Sequence, residues 1–428
     1  MRWNQTRKEL FSIDAMSSAM PAMGDAWLLL VTFAITLFVP DVAISESLHI
    51  GWEELLIPLM LIRLMWKRFY TMDILVASLG YLLLVILLSI MKNGQYTDVR
   101  NLFELYKVIK LGVLYVFACF VLKEPLNRTW LYRMMVGLFV ALFLVNLLHL
   151  FNAFGINEWL IARYDYDGRD IAFFGLNSLG QPDARRIIGT MGNPNDNAIL
   201  LLFFLACFFL RAVDLSKSGI KTIAFSWNDL FIVFCALLIA LCQSRTGIAV
   251  LLLVFITGIY YARWHRKKVV LGVLLLGALL ALVNFLVDHH ALTYVTNTSM
   301  RMAENNSFSA RLKVWKELLG MWLSKPLLGY GPNKEFIYAN NIYPENEYIF
   351  YLWRYGLLGL AGYGALLFGK IAVARKRLSE FPLLVFMTLL LSFTALTNNP
   401  LTNPKFVVIF ALGWAWATAN KHSQSVST

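Results

Sequence analysis

Charged residues are scarce in this 428-residue sequence: they make up 15% of the chain, against 59% hydrophobic residues. This balance excludes an ordinary soluble domain, in which about a quarter of the residues carry a charge. Cysteine and histidine are also rare. The four cysteines lie inside apolar runs, where buried free thiols are expected, and the adjacent His289 and His290 have no third metal ligand nearby. The sequence therefore does not predict a disulfide framework or a zinc site.

The abundant apolar residues form blocks of about 15–22 residues, long enough to cross the hydrocarbon of a bilayer. They predict an all-α polytopic membrane protein with about twelve transmembrane helices. The predicted spans cover residues 26–44, 50–66, 72–91, 104–122, 130–150, 196–212, 228–243, 246–262, 269–287, 348–369, 381–397 and 405–420. The chain divides accordingly into 1–195 (five spans and a first long loop), 196–287 (four spans), 288–347 (a large helical loop) and 348–428 (three spans and a tail).

The basic residues are distributed unevenly between the two sides of this arrangement. With both termini in the cytoplasm, the inside segments hold more than half of the 38 Lys and Arg residues, and the short outside loops hold only Lys92, Arg100 and Lys405. Such a bias is the positive-inside rule. The net charge of +12 therefore reflects orientation in the membrane, and a nucleic-acid partner is not predicted.

One arginine interrupts a long apolar stretch at Ser244-Arg245-Thr-Gly. A single helix over residues 228–262 would be about 50 Å long, too long for one ordinary span. We therefore predict two short helices joined by a tight turn on the outer face, with Arg245 at that turn. The alternative, an arginine that only extends toward lipid head groups, remains open.

Further polar residues gather on the same side, in two long outside loops at 151–195 and 288–347. Arg185 and Arg186 precede a turn that opens span six, where free backbone N–H groups favour an anion. In the second loop, Ser309 is a candidate N-cap for an amphipathic helix to about Ser324, with Leu312, Trp315, Leu319 and Trp322 on one face. Such a helix is suited to a lid on the membrane surface. Its Arg311 is a candidate ligand or an ordinary solvated charge.

Arginines that converge on one membrane face suggest a site for a polyanion, since guanidinium groups bind phosphate oxygens bidentately. A sugar linked to polyprenyl diphosphate fits this site, with its tail among the helices and its diphosphate at the interface. We expect arginines rather than Mg²⁺ to neutralise the diphosphate, and we predict no metal and no other cofactor.

The residues from about 185 to 365 resemble the bacterial O-antigen polymerase and O-antigen ligase family. The resemblance lies in four motifs that occur in the family's order. They are Arg186…Gly189…Asn193-Pro-Asn195, Ser244-Arg245, Arg311-Leu312-x-x-Trp315…Pro326-Leu327-x-Gly329-x-Gly331-Pro332, and Glu345-Asn346-Glu347-Tyr348-Ile349…Gly356-Leu-Leu-Gly359. The last motif departs from the family pattern, because Glu345 stands where ligases have histidine, and this substitution favours a polymerase.

The resemblance implies a GT-C-like glycosyltransferase of the bacterial inner membrane, with its active site on the periplasmic face and undecaprenyl-diphosphate-linked glycans as donor and acceptor. Arg245 and Arg311 would stabilise the leaving diphosphate, and Glu345 would be the general base if burial strengthens its affinity for a proton. Glu345 could instead only stabilise a helix N-terminus. Arg186 would bind phosphate or orient its loop. The remaining candidate substrate-binding residues are Arg185, Arg186, Asn193, Asn195, Ser244, Asn346, Tyr348 and Arg354.

Two other functions stay open. An O-antigen ligase would transfer the glycan to lipid A-core, and a flippase or transporter would share the layout of twelve spans with both termini inside. Transporters tend to contain repeated halves and charges at mid-membrane, whereas this sequence shows no repeat and its polar residues gather in the outside loops. The sequence leaves open whether a chain-length regulator binds.

Overall fold

The computed structural model describes residues 13–45, 48–164, 186–217, 225–286, 306–340, 342 and 344–419. These residues are helical apart from connecting turns and one short antiparallel hairpin, in which Val42 pairs with Ile50. The helices are α1 Ile13–Phe38, α2 Ile57–Trp66, α3 Ile74–Lys92, α4 Val99–Leu122, α5 Pro125–Phe151, α6 Ile156–Tyr164, α7 Pro194–Lys217, α8 Trp227–Leu241, α9 Arg245–Ala262, α10 Arg266–Leu286, α11 Asn306–Trp322, α12 Lys334–Ala339, α13 Glu347–Ala374, α14 Pro382–Thr394 and α15 Pro404–Ala419, and the strands are β1 Val42–Ser45 and β2 Leu48–Ile50.

Seven of the helices in the described ranges are long and apolar enough to cross a membrane: α3, α4, α5, α7, α9, α10 and α13. Four shorter apolar segments accompany them, at Gly24–Phe38, Trp227–Leu241, Pro382–Thr394 and Pro404–Ala419. Eleven of the twelve predicted spans thus coincide with an apolar helix. The helical class is confirmed, whereas the count of twelve and the arrangement of the loops remain predictions.

The predicted span at 50–66 is wrong as a single helix. The chain forms a short 3₁₀ turn at Trp52–Leu55 and then only the ten residues of α2. The reason is a tertiary contact: Glu53 and Glu54 both bind Lys110 of α4, with Nζ–Oε1 distances of 2.9 and 2.5 Å. Pro58 also lies in the first turn of α2, where proline is tolerated, whereas inside one continuous helix its ring would clash with the carbonyl of Glu54. The contact with Lys110 also shows that charged groups lie inside the helix bundle as well as in the polar outside loops.

Helix α7 lies at the centre of the bundle. Its residues from Ala198 to Leu210 are all buried. An all-apolar helix in a bilayer can face lipid, as most of α10 does, but α7 is enclosed by other helices instead. Phe203, Phe204 and Phe208 contact aromatic rings of α1, α5 and α8. This packing fixes the start of α7, where the first of the predicted arginine motifs lies.

Candidate active site

The turn that carries Arg245 separates α8 from α9, as the sequence predicts. Gln243 adopts a left-handed conformation with φ 51°, and the buried Ser244 accepts a hydrogen bond from the Gly247 N–H at 3.2 Å. Ser244 is thus the N-cap of α9, and its hydroxyl is used by the helix. Arg245 is exposed at the first position of α9, and no carboxylate pairs with it among the described residues.

Arg186 supports this turn from the side. Its side chain is buried, and Nε donates a 2.9 Å hydrogen bond to the carbonyl of Cys242, three residues before Arg245. Its Nη2 donates to Asn195 Oδ1 at 3.3 Å. Of the two roles predicted for Arg186, binding phosphate or orienting its loop, the geometry favours the second. Arg185 lies outside the described residues.

The asparagines of the first motif form hydrogen bonds that cap the start of α7. Asn193 Oδ1 accepts a hydrogen bond from the Asn195 N–H at 2.8 Å, and the Asn193 carbonyl accepts one from the Asn197 N–H at 2.9 Å. Gly192 has a φ of 73°, and a methyl group there would lie 2.5 Å from the carbonyl oxygen of Tyr164. The motif therefore encodes a helix cap and a close backbone approach.

The predicted lid helix exists, but it begins at Asn306, so Ser309 is not its N-cap. The face that packs against the protein carries a second apolar stripe, separate from the predicted one. Val314, Leu318 and Met321 pack in a cluster with Phe350 and Trp353 of α13, whereas Leu312 and Leu319 are exposed. Two apolar stripes run side by side along this helix, both at helical spacing. Periodicity alone could not decide which of them faces the protein.

Arg311 and Glu345 meet at the base of this helix. The Arg311 guanidinium forms a salt bridge through Nη2 with Glu345 Oε2, and Trp315 Nε1 donates to the carbonyl of Pro344 at 2.5 Å. The structure thus brings together two of the three predicted catalytic residues. The side chains of Arg311 and Glu345 are 31% and 38% exposed, so both are partly accessible to solvent. Glu345 also adopts a left-handed φ of 44°, which is uncommon for a residue with a side chain.

The segments that carry Arg245 and Glu345 are fastened to the same turn between α14 and α15. The hydroxyl of Thr246 bonds that of Thr397, and Asn346 Nδ2 donates to the neighbouring carbonyl of Leu396 at 3.1 Å. Asn346 also caps α13 by accepting from the Ile349 N–H at 3.0 Å. Because residues 396 and 397 are adjacent, this turn links the Arg245 hairpin to the Arg311–Glu345 pair.

Two of the other predicted substrate-binding residues have internal roles. Tyr348 donates its hydroxyl to the carbonyl of Ser392 at 3.0 Å. Arg354 is buried, with Nε donating to the carbonyl of Pro332 at 3.1 Å and Nη1 at 3.3 Å from Glu104 Oε2. The structure thus places Arg354 against the large loop and α4, as part of the helix packing.

Glu104 is a residue that the sequence reasoning missed. It is buried in α4 and pairs with three cations from three parts of the chain, namely Arg354, Lys107 at 3.2 Å and Lys334 at 2.8 Å. Burial lowers the pKa of Lys334 to about 8, although the neighbouring Glu104 acts in the opposite direction. The sequence did contain a signal for this cluster. Glu104 is an acid inside a predicted span, and the loops contain basic residues that could pair with it.

The Pro326…Gly331 motif fits into a break in α13. Gly356 interrupts that helix with φ 65° and ψ −162°, which frees backbone groups from helical hydrogen bonding. The loop satisfies them: Leu357 N–H donates to the Pro326 carbonyl at 2.8 Å, and Gly331 N–H donates to the Arg354 carbonyl at 2.7 Å. The motif thereby anchors the end of the lid region to the bundle, beside the candidate site.

The structure leaves the role of metals untested. No group of three or more His, Cys, Asp or Glu residues suited to a metal occurs in the described part of the chain. His289 and His290 lie outside those residues, and so do Asp165 and Asp167 of the first long loop, an acidic pair that could bind Mg²⁺. Metal-independent chemistry therefore stays a prediction.

A bundle of apolar helices, covered at one end by a loop helix whose arginine meets a glutamate, defines an integral membrane protein with a candidate anion site. Residues 230–364 match the model of the O-antigen ligase family. This match confirms the resemblance to the O-antigen polymerase and O-antigen ligase family, whose members are glycosyltransferase-like, and the matched range contains Arg245, Arg311 and Glu345. No curated protein matches the chain.

Proposed function

We propose that this protein polymerises undecaprenyl-diphosphate-linked oligosaccharide repeat units into a surface polysaccharide, on the periplasmic face of the bacterial inner membrane. The supporting observation is the contact of Arg311 with Glu345 inside the region matched by the family, beside the turn that also holds the Arg245 hairpin. Donor and acceptor are both lipid-linked glycans, and the bilayer surrounds the helices. No metal, other cofactor or nucleic acid takes part, and a chain-length regulator is a candidate partner.

The reaction transfers the growing glycan to a single repeat unit. A sugar hydroxyl of the acceptor attacks C1 of the donor glycan, the bond between C1 and the diphosphate oxygen breaks, and the electron pair leaves with undecaprenyl diphosphate. The hydroxyl proton goes to Glu345. Negative charge develops on the diphosphate as this bond breaks, so cations placed there lower the barrier.

The Arg311–Glu345 salt bridge provides a way to couple binding to base catalysis. A diphosphate carries more negative charge than one carboxylate and offers several oxygens to the guanidinium fork. On donor binding, Arg311 would exchange Glu345 for the diphosphate, which leaves the carboxylate available to the acceptor hydroxyl. Trp315, bonded to the Pro344 carbonyl, would keep the two segments together during this exchange.

Arg245 completes the site as a cation on a rigid support. The capped start of α9 and the buried Arg186 hold the turn, while the Arg245 side chain projects from it and is exposed. A guanidinium held in this way can bind phosphate oxygens with little reorganisation. Its position at a helix N-terminus adds the favourable field of the helix dipole for an anion.

An O-antigen ligase is the second candidate. The description of the matching family favours it, and the same arginines would serve a donor whose glycan goes to lipid A-core. Glu345 in place of the ligase histidine favours the polymerase instead.

The surface glycan of a deletion strain distinguishes the two. Loss of a polymerase leaves one repeat unit attached to the surface lipid, whereas loss of a ligase leaves none and accumulates lipid-linked polymer. Complementation with Arg245→Ala should reproduce the deletion phenotype, and Arg163→Ala, an exposed arginine of α6, should restore the wild-type glycan. A wild-type glycan in the deletion strain would refute both functions.

A further inference from the structure

An apolar groove of about 530 Å³ opens between α2, α3 and α4, away from the candidate active site. Its walls include Leu64, Val76, Leu83 and Val113, and its only charged lining residue is Arg68, at one end. The volume lies in the range of pockets that bind small organic ligands. The groove exists because α2 is short and leaves the surfaces of α3 and α4 uncovered.

Arg68 occupies its position at a conformational cost. The end of α2 is a Schellman motif, with the Phe69 N–H bonded to the Leu64 carbonyl and the Arg68 N–H to the Met65 carbonyl, both at 3.1 Å. Arg68 is the left-handed residue of this motif, with φ 48°, where glycine is the favoured residue. A charged side chain is thus placed at the mouth of the groove against the local backbone preference.

The surroundings of Arg68 match the level of lipid head groups. Trp66 and Tyr70 are 76% and 80% exposed, as in the aromatic belt of a membrane interface, and the exposed Lys67 adds a second cation. The nearest acid along the chain, Asp73, pairs with Lys370 at 3.0 Å. The segment 63–72 belongs to the side with the excess of Lys and Arg, which the positive-inside rule assigns to the cytoplasm.

The length of the groove suits one leaflet. From Ile74 to Leu83 helix α3 rises about 14 Å, close to half of the roughly 30 Å hydrocarbon core. We propose that this groove binds an acyl chain of an anionic phospholipid from the cytoplasmic leaflet, with its phosphate at Arg68 and Lys67. The undecaprenyl donor does not fit this orientation, because its diphosphate belongs at the opposite face. The proposal is independent of the reaction that the protein catalyses.

The chain offers matched variants for a test. Arg68→Gly removes the charge and places the favoured residue at the left-handed position, so the variant should fold. Arg263→Gly is its control, since Arg263 ends α9 in the same motif with φ 50° but does not line the groove. Gly80 lines the groove and a Cβ there meets no atom within 4 Å, so the side chain of Gly80→Leu can enter the groove. Gly277→Leu on α10 is an equally open control outside it.

The measurement is native mass spectrometry of the purified protein, equilibrated with phosphatidylglycerol and phosphatidylethanolamine of identical acyl chains. Each cation near the phosphate should favour the anionic lipid about fivefold. Arg68→Gly should lose about that factor and Arg263→Gly none, while Gly80→Leu should retain less of both lipids and Gly277→Leu as much as the wild type. Equal retention of the two lipids by the wild type, or unchanged binding in Gly80→Leu, would overturn the proposal. So would preferential retention of added undecaprenyl phosphate that Gly80→Leu abolishes.

Discussion

Replacing Glu345 by glutamine tests the proposed general base of the site. The change keeps the size of the side chain and most of its hydrogen-bonding capacity, but it removes the proton acceptor and the charge opposite Arg311. If Glu345 is the general base, turnover should fall by roughly 10²–10⁴-fold. Donor binding should persist, because the arginines are unchanged.

The structure separates this effect from a loss of stability. The Arg311 and Glu345 side chains are 31% and 38% exposed, and a partly exposed ion pair contributes about 0.2–1 kcal/mol at most. Even if that whole energy were lost from catalysis, the rate would change only about fivefold. A fall of two decades or more therefore cannot arise from the broken salt bridge alone.

The assay follows polymer formation by purified protein in nanodiscs with a lipid-linked repeat unit. Glu335→Gln is the control, since Glu335 is an exposed acid of the same large loop. Glu345→His would restore the residue typical of ligases and should recover part of the rate, because imidazole titrates near neutrality. A near wild-type rate for Glu345→Gln would refute the base and leave the arginines as the main catalytic groups.

Four further predictions concern charge, packing and topology. Arg245→Lys should restore little polymer in a complementation assay, because an ammonium lacks the guanidinium fork; full restoration would reduce Arg245 to a generic surface charge. Glu104→Gln should lower the free energy of unfolding in detergent by about 3–5 kcal/mol, since it leaves buried cations without their counter-charge. Gly356→Ala should reduce the yield of folded protein, because the added methyl would lie 2.3 Å from the Leu327 carbonyl group. Asn340→Cys should react with a membrane-impermeant thiol reagent on the outer face and Lys376→Cys should not; the reverse labelling would invert the proposed topology.

The sequence predicts most of the helices because apolar runs of sufficient length admit few other structures in a membrane. It fails at 50–66, where the pattern is apolar enough for a span but Glu53 and Glu54 turn toward Lys110. Those residues are 56 or 57 positions apart in the chain, and a local hydropathy pattern contains no information about such a contact. The sequence also misplaces the start of α11, and it does not show which apolar stripe of that helix packs against α13, because that depends on the neighbouring surface.

The residues of the candidate site differ in burial, which the sequence does not reveal. Arg186, Ser244 and Asn346 belong to the motifs that resemble the family's, and Arg354 lies between the two parts of the last motif. Each of the four is buried and bonded to the protein's own backbone.

Arg245 and Arg311 differ from these four in exposure. Arg245 is exposed, Arg311 is 31% exposed, and the partner of Arg311 is Glu345, whose side chain is 38% exposed. A buried arginine bonded to carbonyls must give up those bonds before it can bind phosphate, at a cost of about 1–3 kcal/mol for each group left unpaired. An exposed arginine gives up only water or a weak salt bridge. The diphosphate should therefore bind at Arg245 and Arg311, and the buried residues of the same motifs should act by holding these two arginines in place.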